Sequence, residues 1–305
     1  MQKLKFHIPF IKYQWVLIAI STILTLAGLF VILKYGFNYG IDFEGGAKLT
    51  YKFQSAVSEN QVRDALQKIN LGEADVVRYG QPQDNRMTIK VALPEEHAKL
   101  GEQITAGLEQ AFGAGGATLE SEETVGPKVG KELRKKAWLA VIFAVILMLI
   151  YIGYRFDFFF APGAVIALIH DVVITMGFFA LLGKEFNTAT LAALLTIVGY
   201  SINDTIIVYD RIRENHNMIT KDSIKDVVNL SINQVFARTI VTVLTVQFVL
   251  LVIFFRGGGT LHDFAFAMLV GFFCGTYSSI FIASPCYIGL YKAWPRIQSL
   301  IKRSR

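Results

Sequence analysis

The stretch Ile197-Val198-Gly199-Tyr200-Ser201-Ile202-Asn203-Asp204-Thr205-Ile206-Ile207-Val208-Tyr209 places an acid, Asp204, inside an apolar run. A carboxylate inside a bilayer costs at least about 2.5–3.5 kcal/mol on insertion scales, so packing alone rarely retains one. Such a residue marks a proton or ion path and has a partner nearby. A second acid, Asp171, lies deep in another apolar run, directly after His170.

Working outward, the chain has 305 residues, of which 53% are hydrophobic. That is too apolar for an ordinary soluble protein, and long apolar runs account for it. A membrane helix needs roughly 20 apolar residues. About six runs qualify, at residues 15–33, 138–154, 162–182, 188–209, 239–255 and 264–290. All are read as helices, because open strands cannot cross lipid. Residues 34–137 form a polar segment between the first run and the second. The expected fold is therefore an α-helical polytopic membrane protein of about six spans, carrying one small α+β domain. Residues 1–14 and 291–305 flank the block as basic ends.

The net charge of +6 does not argue for nucleic acid. Lys3, Lys5 and Lys12 precede the first span, and Arg155 follows the second. Arg211, Arg213, Lys221, Lys225 and Arg238 lie between the fourth and fifth, while Lys292, Arg296, Lys302, Arg303 and Arg305 follow the sixth. The positive-inside rule makes these segments cytoplasmic, both termini included. The turns around Lys184 and Arg256 then face outward with the 34–137 domain, whose length exempts it from the rule. The N-terminal run is long and no small-x-small site closes it, so it reads as an uncleaved anchor. Cys274 and Cys286, the only cysteines, are about 18 Å apart on one helix, too far to bridge. The domain therefore folds without disulfides, and no cysteine-based metal site exists.

Within the domain, residues 48–53 alternate as a strand. Ser58-Glu59-Asn60-Gln61 is a capping box, with Val62, Leu66 and Ile69 at helical spacing after it and Gly72 as the stop. Residues 75–79 and 87–93 read as strands joined by Gln-Pro-Gln-Asp-Asn. Pro94-Glu95-Glu96 starts a helix that continues through Ile104, Leu108 and Phe112 to Gly113, and residues 117–125 form a last strand. The order β-α-β-β-α-β is the ferredoxin-like pattern. His97 is the lone histidine there, on a charged helix, and reads as solvated. Gly126-Pro127-Lys128-Val129-Gly130-Lys131 lacks P-loop spacing and reads as a flexible joint into a helix over 131–137. The domain is either a binding surface for a partner or an assembly spacer.

Several polar residues belong to the membrane block. Asp204 lies about 8 Å from the polar end at Asp210, with Tyr200 and Ser201 on its face. It is either a proton-linked site or a structural hydrogen bond to a neighbouring helix. Asp171 lies near the midplane, and with His170 faces the same choice. Arg238 opens the fifth span, either as an anchor or as partner or gate to Asp204. Asp263 opens the sixth after the flexible Gly257-Gly258-Gly259 and reads first as a loop-end residue. Glu185 reads as solvated. Residues 210–238 form an amphipathic stretch expected in the inner headgroup layer, a partner-docking helix being the alternative. Gly271-Phe-Phe-Cys-Gly275 is a G-x-x-x-G that permits close helix packing. No nucleophile–base set, metal cluster or nucleotide loop is present, so neither enzyme activity nor a cofactor is expected.

Phe37-Asn38-Tyr39-Gly40-Ile41-Asp42-Phe43-Glu44-Gly45-Gly46 resembles the signature that follows the first span in the SecD/SecF family, in Gly40, Asp42, Phe43, Gly45 and Gly46. Ala167-Leu168-Ile169-His170-Asp171, residues 199–205, 209–214, 231–234, 237–239 and 275–280 extend the resemblance over nearly the whole chain. The compact domain favours the SecF branch. The resemblance implies an RND-superfamily half that pairs with SecD and works beside the SecYEG channel and its associated small subunits. It implies a translocating unfolded polypeptide as the handled chain, and a prokaryotic inner or plasma membrane as the location. It also implies use of the proton motive force late in export, with Asp204 and Arg238 on the proton path and Asp263 as a looser match. Gly36–Gly46 and Gly126–Gly130 would pass motion to the domain. Two rival readings are an exporter of small molecules and an assembly scaffold without proton coupling.

Overall fold

The computed structural model describes residues 7–80, 82–92, 100–156, 160–220 and 223–303. Among them, six helices are long and apolar enough to cross a membrane. The predicted helix start at Pro94-Glu95-Glu96, His97, Lys3, Lys5, Lys221 and Arg305 lie outside the described residues.

A 3₁₀ turn, Phe10–Tyr13, leads into the first span, α1 (Gln14–Tyr35). After it come β1 (Asn38–Tyr39), the short α2 (Ile41–Glu44) and β2 (Gly46–Phe53). Next are α3 (Glu59–Gln67), β3 (Asp75–Tyr79), β4 (Arg86–Val91), α4 (Leu100–Phe112) and β5 (Ala117–Val125). The second and third spans are α5 (Pro127–Arg155) and α6 (Ala161–Leu181). β6 (Glu185–Phe186) precedes the fourth, α7 (Thr188–Glu214). The fifth is α8 (Ile224–Arg256). The sixth runs through α9 (Gly259–Ser278), a π-helical turn over Ser279–Ala283 and α10 (Ser284–Arg303).

The domain is the ferredoxin-like module expected. Its antiparallel sheet has the order β3-β4-β2-β5. Alternation in β2 sends Leu49, Tyr51 and Phe53 to the face carrying α3 and α4, where they pack with Val62, Leu66, Ile104 and Leu108. The Tyr51 hydroxyl finds Thr105 Oγ1 at 2.9 Å, and burial pushes its phenol above the usual tyrosine range. The capping box at Ser58 and Gln61 is formed. Helix α3 ends before the predicted stop at Gly72, because Asn70 takes the positive-φ turn, which asparagine tolerates.

In the membrane block, α6, α7 and α9 are the buried helices, whereas α1, α5 and α8 are mostly exposed. The G-x-x-x-G reading holds: a Cβ on Gly271 would fall 2.3 Å from Ile197 Cδ1, so α7 and α9 approach closely there.

Four expectations need correction. The stretch within 210–238 is not a separate interfacial helix. Its apolar residues Ile224, Val228 and Ile232 are buried against Tyr209, Ile212 and Ile288, and α8 runs unbroken through it into the fifth span. Asn229 and Asn233 also bond the backbone of Ile8 and Ile11, pinning the N-terminal segment beneath this end. The segment 126–130 is not a flexible joint. Pro127 starts α5 directly, and Gly45 sits against it so tightly that a Cβ there would lie 2.5 Å from Pro127 Cα. The Gly257–Gly259 turn is not loose, since the Tyr79 ring of the module packs on Gly258 and Gly259. Glu185 is not solvated either. It ion-pairs with Lys90 of the module, both side chains largely shielded, and β6 pairs with β1 in parallel.

These contacts, together with Lys48 Nζ to Thr260 Oγ1 at 3.3 Å, dock the open face of the sheet onto the turns that cap the bundle. Gly45 combines a φ of +84° with that close approach. Gly45→Ala should therefore destabilise the chain by about 1–3 kcal/mol. Gly36→Ala, where φ is +69° and ψ −160° but space is open, should cost less, at the lower end of that range, about 1 kcal/mol. Thermal melting of the detergent-solubilised chain compares the two.

Candidate functional site

Among the described residues, two carboxylates lie inside the bundle. Asp171 on α6 is 1% exposed and Asp204 on α7 is 5% exposed. In lipid no water offers replacement donors, so each needs partners from neighbouring helices.

Asp204 accepts from Thr239 Oγ1 of α8 at 2.9 Å and from Ser279 Oγ, at the start of the π-helical turn, at 2.7 Å. Asp171 accepts at Oδ2 from Ser201 Oγ of α7 at 2.6 Å and from Ser278 Oγ of α9 at 2.8 Å. Its Oδ1 lies 2.8 Å from His170 Nδ1. Consecutive serines thus serve different carboxylates, one each. Each serine also has a helix carbonyl in reach: Gly275 O at 3.1 Å for Ser278, and Thr276 O at 3.0 Å for Ser279. A hydroxyl has one proton to give, so it chooses between its carboxylate and its own helix.

The π-helical turn helps set this register. It widens the helix by one residue per turn, a feature frequent at functional sites. Ser284 Oγ bonds Ser279 O at 2.9 Å, and Tyr209 donates to Ala283 O at 3.2 Å.

The structure gives Asp171, with His170, and Asp204 separate sets of hydroxyl donors, which adjoin only through the consecutive residues Ser278 and Ser279. It does not bring Arg238 to Asp204: Arg238 is exposed, and the next residue, Thr239, holds the carboxylate instead. One helical residue turns the side chain by about 100°, which separates the two. Ser201 serves Asp171 and not Asp204, and Tyr200 stacks on Phe272 with ring centroids 4.1 Å apart. Asp263 lies at the module end of α9, ion-paired with Lys184 at 2.6 Å.

Sequence reasoning gave Ser278, Ser279 and Thr239 no role. The available signal was two adjacent serines inside an apolar helix, since hydroxyls at membrane depth serve as interhelical donors.

The family signature also acquires a physical meaning. Asp42 Oδ2 accepts from Thr188 N at 2.9 Å and Thr188 Oγ1 at 2.6 Å, at the start of α7. Phe43, fully buried, stacks on Phe186 at 5.4 Å. The motif that enters the module therefore also caps the helix bearing Asp204.

A family profile described as protein export membrane protein SecD/SecF, C-terminal, matches residues 107–293. The chain belongs to the SecD/SecF family. The SecD/SecF GG motif matches residues 30–57, the segment packed around Gly45. The protein translocase subunit SecF of Calditerrivibrio nitroreducens is 39% identical over 280 residues, covering 91% of this chain and 92% of that one. That of Magnetococcus marinus is 41% identical over 283 residues, covering 92% and 90%. A crystal structure of SecDF, a translocon-associated membrane protein from Thermus thermophilus, has a TM-score of 0.83 and 37% identity. It covers 95% of this chain, which spans 40% of the longer SecDF chain. SecF-family membership makes the chain a multi-pass translocase accessory subunit rather than an enzyme.

A buried carboxylate stripped of its donors costs more than a pair removed together. Thr239→Val with Ser279→Ala should destabilise by about 1–3 kcal/mol per lost donor. Adding Asp204→Leu should recover most of that loss in the same thermal unfolding assay, because no unpaired carboxylate remains.

Proposed function

We propose that this chain works with SecD beside the SecYEG channel, using proton flow to drive late steps of export of an unfolded polypeptide. The observation that carries the reading is Asp204, a carboxylate inside the bundle held only by neutral hydroxyls. A fixed structural charge in a membrane is better served by a cationic partner. A carboxylate ringed by hydroxyls can exist charged or neutral, because hydroxyls both donate and accept.

When Asp204 is charged, Ser279 and Thr239 donate to it and tie α7 to α8 and α9. When it is protonated, Ser279 is released to bond Thr276 O within its own helix, and the tie weakens. A change in α9 then reaches the turns that carry the module, through Lys184–Asp263, Lys48–Thr260 and Lys90–Glu185. Those turns, the module and Asp263 lie on the outer side in this reading. Both termini and the basic ends lie in the cytoplasm, and the membrane is the inner or plasma membrane of a prokaryote. Protons enter from the module side.

Exposed Asn203 on α7 and Arg238 on α8 lie on the helices that bind Asp204. Polar side chains facing lipid are costly, which supports this face as the one that meets SecD. Arg238 would then act across that interface and not within the chain. The SecF relatives weigh against the small-molecule exporter, and the inert scaffold differs in predicting that Asp204→Asn is silent.

The test is pulse-chase maturation of a slowly exported protein in cells depleted of their own SecF, with this chain and its SecD supplied at matched membrane levels. The wild type should restore maturation, and Asp204→Asn should leave it near the depleted rate. Equal rescue by Asp204→Asn would remove the proton role from this residue.

A further inference from the structure

His170 carries the observation that the reading above leaves unused. Its ring is 5% exposed, Nδ1 faces Asp171, and Nε2 is buried without a hydrogen-bond partner. Leaving a buried nitrogen unpaired is costly, and a structural histidine would normally satisfy both nitrogens. The ring is also framed: the Tyr277 ring lies parallel to it at 6.1 Å, and Tyr277 is fixed by its bond to Leu17 O at 2.8 Å.

We infer that His170 and Asp171 form a second proton-handling pair, coupled to Asp204 through the adjacent serines Ser278 and Ser279. This rests on the reading that Asp204 is proton-linked, and goes beyond it in assigning three further residues, His170, Asp171 and Ser278. The pair works as a relay. The imidazole takes a proton at Nε2 from a hydronium ion entering the bundle, releasing water, and gives its Nδ1 proton to Asp171 Oδ1. The carboxylate becomes a neutral acid, and the imidazole ends neutral in its other tautomer. With Asp171 neutral, Ser278 turns to Gly275 O. Ser279, the next residue on the same turn, faces the matching choice between Asp204 and Thr276 O. Protonation of one carboxylate thus alters both the hydrogen bonding and the local charge that the other experiences.

The groups around the network are few. Cys274 of α9 lies within electrostatic reach of Asp171, as Tyr200 of α7 does of Asp204. Tyr277 of α9 faces His170. From α8 the nearest contact is the neutral Thr239, with Arg238 exposed. The α1 residues that bind Tyr277 are Ser21 and the Leu17 carbonyl, neither titratable. Asp171 and Asp204 are therefore the only two carboxylates in the network among the described residues. On this inference Asp171 and Asp204 titrate as a coupled pair and not as independent sites.

The experiment is an infrared difference titration of protonated carboxyl groups on the chain co-purified with SecD in lipid. Bands are assigned by their loss in Asp171→Asn and Asp204→Asn. The inference expects Asp171→Asn to move the Asp204 midpoint by about one pH unit or more. His170→Gln should change the Asp171 titration, and Ser278→Ala with Ser279→Ala should shrink the coupling. Ser278→Thr, which keeps the hydroxyl, should retain it, a difference that a merely structural serine would not produce. If the serine variants fail to assemble, the His170→Gln and Asp171→Asn arms decide. An Asp204 band that titrates identically with and without Asp171 overturns the inference and leaves the reading of Asp204 intact. An Asp204 that never titrates overturns both.

Discussion

A carboxylate at bilayer depth must find its hydrogen-bond donors inside the protein, and here Ser278 and Ser279 supply them to Asp171 and Asp204 in turn. Much of the membrane block follows from this constraint. Ser201 of α7 and Ser278 of α9 both reach Asp171 of α6, and the small residues Gly271 and Gly275 let α9 lie close against α7 there. Thr239 reaches Asp204 because α8 continues unbroken past the point where the apolar run begins. The π-helical turn begins at Ser279, so the widened geometry falls at the carboxylates themselves.

The opposite requirement holds where the module meets the bundle. There the chain needs a firm joint, so that a change among helices moves a folded domain and not a slack tether. The signature residues build it. Asp42 caps α7, Phe43 and Phe186 stack, and Gly45 lets Pro127 start α5 against the turn. The Lys90–Glu185 and Lys184–Asp263 pairs are largely shielded from solvent, where ion pairs are screened less than on an open surface. The joint therefore lies along the mechanical route that the proposed mechanism uses.

The fold was legible in the sequence wherever one physical period dominated. Long apolar runs located all six spans, and strand alternation with the Ser58 capping box located the module. The misses share a cause: each depends on a contact between segments far apart in sequence. Glu185 looked solvated because Lys90 is 95 residues away. Residues 224–235 looked interfacial because the helices that bury them are themselves spans. The acids Asp171 and Asp204 stood out because charge in an apolar run is conspicuous. Their hydroxyl partners did not, since serine and threonine in a membrane helix usually bond their own backbone, as Thr242 and Thr196 do here. Arg238 drew notice as the basic residue opening the fifth span, yet it is exposed and Thr239 holds Asp204 instead.

The central claim is that the carboxylate within this bundle moves protons. Proton flux across liposomes containing the chain with SecD, read by a trapped pH-sensitive dye under an imposed gradient, tests it most directly. The account predicts flux for the wild type and its loss, down to protein-free liposomes, in Asp204→Asn. Equal flux in both would contradict it.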